Sequence, residues 1–430
     1  MTLPLPSDDP LRVELNDEVH ARPSEILSAP LRLTFLAIRA TPAERAREWE
    51  CVSQLVSHFG VRPPASTVSH FSADCGVFRL KWERHSEFTR YKFIVPGIHS
   101  DPFEAPAITA VPAEWIKDLP GQLIVAVHGA LVSLREDRID PDGIAAAYFG
   151  GNGLVGSAIA GGAALALTDF RIHADRFSRL LVLDRSMTPR QAGRMVQRLL
   201  EIETYRIMAL LALPISREIS PVLSRSEQDL AKITAAIADA REEDEPTLLA
   251  DLTRLEADIS SRQSRHHLRF SASAAYYRLV QRRIVELREE RIPGLQTFQE
   301  FMERRLAPAM DTCQAAMSHQ QSLSDRVARA TQLLSTKVDI TREQQTHAVL
   351  ESMNRRARLQ LRLQETVEGL SAAAVTYYVV GLIGYLGKGL KSSGVGLNVD
   401  ALMAISIPVV AVSVVFGVRR IRRMIARAAA

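Results

Sequence analysis

Apolar and polar positions alternate in three different ways along the chain, and the sharpest change falls near its C-terminal end. From Leu370 to Leu386 the sequence reads LSAAAVTYYVVGLIGYL, and from Ala401 to Val418 it reads ALMAISIPVVAVSVVFGV, with no acidic or basic side chain in either run. Each run is about as long as the ~17–25 apolar residues needed to cross a bilayer's hydrocarbon core. The pattern predicts two transmembrane helices. The join between them, GKGLKSSGVGLNVD, is rich in Gly and Ser and too short to hold a domain. The two spans therefore form a hairpin.

Earlier in the chain the period is two. Leu31–Arg39, Val68–Ser72, Gly76–Glu83, Tyr91–Val95 and Gln122–Ser133 alternate or are rich in β-branched residues, and they read as strands. Between them, Trp49, Val52, Leu55, Val56 and Phe59 recur at helical spacing. Gly143–Phe149 reads as a short helix and Ser157–Leu167 as a hairpin.

After Asp184 the period becomes helical. A helix is expected from Thr188 to Leu213, stopped by Pro214, then others over Ser226–Ala240, Thr247 to about Arg291, and Leu295–Leu306. Beyond Pro308 no proline occurs before Leu386 and no glycine before Gly369. Leu323, Val327, Ala330, Leu334, Val338 and Thr341 keep near-heptad spacing, which predicts one long stalk helix, packed as a partly polar coiled coil, that runs unbroken into the first span.

These patterns describe an α+β protein. Residues 1–185 form a mixed α/β domain, 186–307 a helical bundle, 308–369 the stalk, 370–418 the membrane hairpin with spans 370–386 and 401–418, and 419–430 a basic tail.

Charge orients the hairpin. The 430 residues carry 53 Lys and Arg against 49 Asp and Glu, a net charge of +4. Arg355, Arg356, Arg358 and Arg362 precede the first span, and Arg419, Arg420, Arg422, Arg423 and Arg427 follow the second. The connecting loop holds only Lys388 and Lys391. The positive-inside bias then places both termini in the cytoplasm. The same arginines favour anionic lipid, and so little basic excess remains elsewhere that no nucleic-acid partner is expected. Cys51, Cys75 and Cys313 are widely spaced and form no CxxC, which suits a reducing compartment. The N-terminal stretch lacks the basic and apolar regions of a secretory signal.

Candidate chemistry is sparse. Gly151, Gly153 and Gly156 match GxGxxG, but a helix precedes the run and a strand follows it, the reverse of a dinucleotide fingerprint. His266 and His267 are adjacent on a helix, diverge by about 100° and do not converge on one metal ion. Glu201 and Glu203 point to different faces of their helix and read, with Arg206, as surface ion-pairing residues. Asn16, Glu18, His20 and Arg22, in LNDEVHARP, form a polar cluster that is either functional or a pin for the domain's leading segment. No nucleophile, base or metal constellation emerges, so enzymatic activity is not expected and no cofactor is implied.

LNDEVHARP, AGRMVQRLLEIETYRIMALLALP (Ala192–Pro214) and RARLQLRLQETVEGLSAAAVTYYVVGLIGYLGKG (Arg356–Gly389) together resemble a family of membrane-anchored bacterial proteins of unknown function. That resemblance implies a multi-pass protein of the bacterial inner membrane and implies no activity. In plan, with an α/β domain, a helical bundle, a long stalk and two C-terminal spans, the chain also resembles the pentameric CorA-type magnesium transporters. The Gly-Met-Asn signature of that family is replaced here by Gly381-Leu382-Ile383-Gly384 and its neighbours. The architectural resemblance implies a homo-oligomeric channel for a divalent cation, with the first span lining the pore and the stalk gating it. Its candidate pore-lining or selectivity residues are Ser371, Thr376, Gly381, Gly384, Asn398 and Asp400. The alternative is a membrane-anchored scaffold or regulator whose cytoplasmic domain binds a protein partner and which transports nothing.

Overall fold

A computed structural model describes residues 6–20, 23–134, 139–392, 394 and 398–428. The protein is α+β, and it divides into two compact units: residues 1–238 with 250–331, and residues 239–249 with 332–430.

The first unit opens with a short helix, α1 (Arg12–His20), and is built on a sheet whose first strand in the chain is β1 (Leu31–Arg39). Helix α2 (Pro42–His58) follows, then β2 (His70–Asp74), β3 (Arg79–Arg84), β4 (Thr89–Pro96), helix α3 (Ala113–Lys117) and β5 (Gln122–Ser133). Helix α4 (Pro141–Tyr148) leads to β6 (Val155–Ile159), β7 (Ala164–Thr168) and β8 (Ser178–Asp184). The remaining elements are α5 (Pro189–Leu210), α6 (Ala212–Asp239), α7 (Glu245–Leu287), β9 (Glu290–Arg291), α8 (Phe298–Arg305), α9 (Ala307–Ser392) and α10 (Val399–Ala428). The strands lie in the order β2-β3-β4-β1-β5-β8-β7-β6-β9. Strand β1 pairs antiparallel with both β4 and β5, while β5 and β8 run parallel.

Helices cover both faces. Pro42 in the first turn and the Thr41–Glu44 capping box start α2. Its Val52, Leu55 and Val56 pack with Leu36, Trp82, Tyr91 and Phe93 on one face. On the other face Met195, Leu199 and Ile202 of α5 pack with Leu33, Phe35, Val127 and Val182. The Gly-rich run behaves as its order implied, with α4 before it and β6 after it. Asn152 in this run donates to Asp169 Oδ2 at 2.9 Å, so the run clasps the loop after β7. The expected hairpin is formed by β6 and β7, and Gly161 and Gly162 supply positive φ angles of 67° and 82° at its turn.

Two expectations are corrected here. Pro214 does not stop a helix. Helix α5 ends at Leu210, α6 begins at Ala212, and Pro214 sits in the first turn of α6, where a missing N–H costs nothing. Glu201 is not a surface residue: it is only 4% exposed, because its face of α5 lies against the sheet. The Glu203–Arg206 pair is formed at 2.7 Å as expected, though both side chains are largely covered.

In the second unit α9 continues through the stalk sequence into the first apolar run without interruption, and α10 carries the second. Near its start, Lys337 pairs at 2.8 Å with the buried Glu245. Three helical stretches are long and apolar enough to cross a membrane: Pro189–Asp239, Phe298–Leu390 and Val399–Ile421. The first of them spends its apolar face inside the sheet unit's core, where Leu199, Ile202, Met208 and Ala209 are buried. The most apolar windows of the other two are only 11% and 6% buried.

Candidate functional site

The second unit holds an apolar cleft of about 1130 Å³ between the C-terminal part of α9 and α10. Small side chains on α9 open it: Gly369, Ala372, Ala373, Thr376 and Gly381 line one side, and Met403, Ile407, Ala411 and Val415 of α10 line the other. Tyr377, Tyr378 and Tyr385 flank the small residues, and Lys388 is the one charged side chain in the lining. The helices touch at Gly384, where a Cβ would fall 2.6 Å from Met403 Sδ, and at Gly387, where one would fall 3.3 Å from Leu402 Cδ2.

The sequence candidates are distributed unevenly around this cleft. Thr376, Gly381 and Gly384 line it, with the Thr376 hydroxyl donating to Ala372 O of its own helix at 2.7 Å. Gly381 has open space where a Cβ would stand, whereas Gly384 faces Met403. Ser371 is exposed and outside the lining. Asn398 caps α10, its Oδ1 accepting from Asp400 N at 3.2 Å and Ala401 N at 3.4 Å, and Asp400 is exposed in that helix's first turn. Both acids and amides are favoured at such a helix start.

Gly384 admits a direct check of the hairpin. Gly384→Ala is expected to be tolerated because the Met403 thioether can rotate away. Gly384→Ile, which pushes a branched side chain into α10, is expected to cost about 1–3 kcal/mol. Melting temperatures of the two variants in detergent compare the effects, and equal values would mean that the helices do not meet there.

A second concentration of polar chemistry lies in the sheet unit. Lys81 and Glu83 of β3 stand opposite Lys92 and Arg90 of β4, and all four are 4% exposed. Lys81 Nζ pairs with Glu83 at 3.1 Å and also donates to the Pro23 carbonyl. Arg90 Nη1 reaches Glu201 at 3.3 Å, with its guanidinium carbon 5.3 Å from the ring centres of both Phe88 and Tyr205. Arg283 of α7 binds the other oxygen of Glu201 and also Glu286, which in turn takes Arg198 at 3.0 Å. Burial pushes the carboxyls of Glu83 and Glu201 up, but the surrounding Lys and Arg charges outweigh it and hold both below the usual carboxylate range. Burial lowers Lys92 to about 8, with Glu83 opposing the shift.

A strap of chain seals this layer. Arg79 holds Glu25 at 3.1 Å, Leu27 N donates to Pro189 O at 3.0 Å, and the Glu25 carbonyl lies so close to Gly193 that no Cβ fits there. The strap follows directly on LNDEVHARP, whose Asn16 is exposed on α1. Arg22 and the side chains of Glu18 and His20 lie outside the described residues.

Sequence reasoning missed this layer because RLKWER and TRYKFIVP alternate as strands with a wet face do. The one available signal was that two such strands carry their charges in matching register. His266 and His267 lie on α7, and the described residues contain no group of three or more potential metal ligands. The three cysteines are free and buried.

A family model described as "Protein of unknown function (DUF3422)" matches residues 7–425. No curated protein and no solved structure matches the chain, so the resemblance in plan to magnesium transporters gains no support from the comparisons.

Proposed function

The chain belongs to this family of unknown function, and we propose that it is a protein of the bacterial inner membrane, held by a C-terminal helical hairpin, whose cytoplasmic sheet unit binds a protein partner. The observation that supports this reading is the exposure of apolar side chains all round the hairpin. Leu382 is 62% exposed, Val412 69% and Phe416 65%. Water is a poor cover for such a surface, and lipid is a good one. With arginines on both flanks and few charges in the join, the termini lie in the cytoplasm.

Several candidate pore groups are already engaged within the chain: the Thr376 hydroxyl with its own helix, Asn398 with the start of α10, and the face of Gly384 with Met403. That favours an anchor. The second reading is an oligomeric cation channel, and two observations favour it. Gly381 opens onto an unfilled cleft, and α9 carries the stalk into the first span without a break. Two spans cannot enclose a pore, so this reading requires several copies.

The protein mass of the detergent-solubilised complex, measured by light scattering with detergent subtraction, separates the two readings. A monomer or dimer, stable across detergents, is expected. A mass near five protomers would overturn the anchor reading and direct attention to cation flux through the first span.

A further inference from the structure

Three arginines from separate elements meet in a second cleft, of about 740 Å³, on the sheet unit. Arg39 ends β1, Arg45 lies in the first turns of α2, and Arg269 projects from α7. Glu44, Glu87 and Gln122 complete the polar part of the wall.

Their charges are poorly balanced. Arg39 is exposed and makes no ion pair or side-chain hydrogen bond among the described residues. Arg45 donates to two carbonyls, from Nη1 to His85 O at 3.0 Å and from Nε to Ala40 O at 3.4 Å, which do not neutralise it. Arg269 holds Glu87 at 2.6 Å through Nη1, while its Nε and Nη2 are enclosed without an acceptor. Of the two acids, Glu87 is thus committed to one arginine. Glu44 accepts from Thr41 N at 2.7 Å and Thr41 Oγ1 at 2.8 Å at the start of its own helix; these bonds lower its pKa and keep it ionised, so the lining holds three positive charges against two negative ones.

Like charges gathered in a cleft repel one another, and a counter-anion relieves the repulsion. Guanidinium groups lining one cleft suit an anion with several oxygens, and Arg39, whose planar fork is engaged by no other group among the described residues, can take two of them. The volume lies within the range of small-ligand sites. No aromatic side chain lines the cleft, so it offers no platform on which a nucleobase could stack.

We propose that this cleft binds a compact anion of the phosphate class through Arg39, Arg45 and Arg269. The site is independent of whether the hairpin anchors or conducts, because every residue in it belongs to the sheet unit. The phosphate is either free in solution or part of a lipid headgroup, and the chemistry of recognition is the same for both.

The test uses the full chain in nanodiscs of zwitterionic lipid, titrated with inorganic pyrophosphate by calorimetry at low salt. Saturable binding is expected, weakening as salt is raised. Arg39→Gln is expected to weaken it at least threefold, and the Arg39→Gln/Arg269→Gln double variant at least tenfold. Arg329→Gln, elsewhere on the same unit, should leave it unchanged. Arg39 is exposed and unpaired, so its substitution should also leave the melting temperature unchanged, which separates loss of the site from loss of the fold. In a parallel arm phosphatidic acid is added to the discs. A drop in pyrophosphate uptake by the wild type alone identifies a lipid source, and unchanged uptake identifies a free one. Absence of binding, or equal binding by the wild type and the double variant, overturns the proposal.

Discussion

Replacing Glu201 with leucine is expected to destabilise the sheet unit by about 3–5 kcal/mol, because it strips the carboxylate from between two arginines and leaves their charges inside the fold. Arg90 depends most on this acid. It is 4% exposed, its remaining acidic neighbour Glu83 is 3.9 Å away, and its other close neighbours are the Phe88 and Tyr205 rings. Arg283 is less exposed to the loss, since it keeps Glu286 at 3.0 Å. The pairing, rather than the volume of Glu201, is decisive, and a double substitution shows it. Arg90→Met combined with Glu201→Leu removes both charges and keeps an apolar filling, and it is expected to recover most of what the single change loses. Melting of both variants in detergent measures the difference. If the double variant melts no higher than Glu201→Leu alone, the cost arises from packing and the account of the charge layer fails.

Lys92→Met is expected to have the opposite sign. A buried amine with a pKa of about 8, against 10.5 for the free side chain, resists the proton it carries at neutral pH. The unfolded chain binds that proton more tightly, so between about pH 8 and pH 10.5 the unfolded state holds more protons and this residue's contribution to stability rises with pH. Below about pH 8 the penalty is present in full and is on the order of 3 kcal/mol. Methionine has no charge to bury and a similar length. The variant should therefore gain about 1–3 kcal/mol at pH 7, part of the gain being offset by what Lys92 contributes to holding Glu83 ionised. The advantage over the wild type should shrink as pH rises towards 10. A variant less stable at pH 7, or an advantage that does not change with pH, would show that Lys92 is held by a partner that makes its charge favourable.

The legible parts of the fold were those set by local pattern. Strand alternation from Leu31 to Ser133 and the reversed surroundings of the Gly-rich run are properties of neighbouring residues. So is the absence of proline and glycine between Pro308 and Gly369, which left α9 no place to stop. What was not legible depended on distant cover. Beyond the matching register of their charges, nothing near RLKWER and TRYKFIVP tells that their polar face is roofed, because the roof consists of Glu201 on α5, Arg283 on α7 and a strap whose docking requires Gly193. Pro214 misled for a related reason: a proline marks a helix's end or its first turn equally well, and only packing chooses between them. At the hairpin, the glycines declared that helices could approach closely but not which helix would approach. Asn398 could have been read as a helix cap from its position before the apolar run, since an amide two residues ahead of a first-turn acid is a common start signal.

The roof over the charged strands also fixes an order of events during synthesis. Arg90 leaves the ribosome 111 residues before Glu201, which at about 5–20 residues per second is a delay of several seconds to some twenty seconds. Throughout that interval Lys81, Glu83, Arg90 and Lys92 face water, so the early strands present a hydrated surface rather than a sticky one while they wait. The strap cannot seal until Gly193 has emerged to receive Glu25. Gly193 and Glu201 both precede the first apolar run of α9 in the chain, so the sheet can close over its charges before that run is translated.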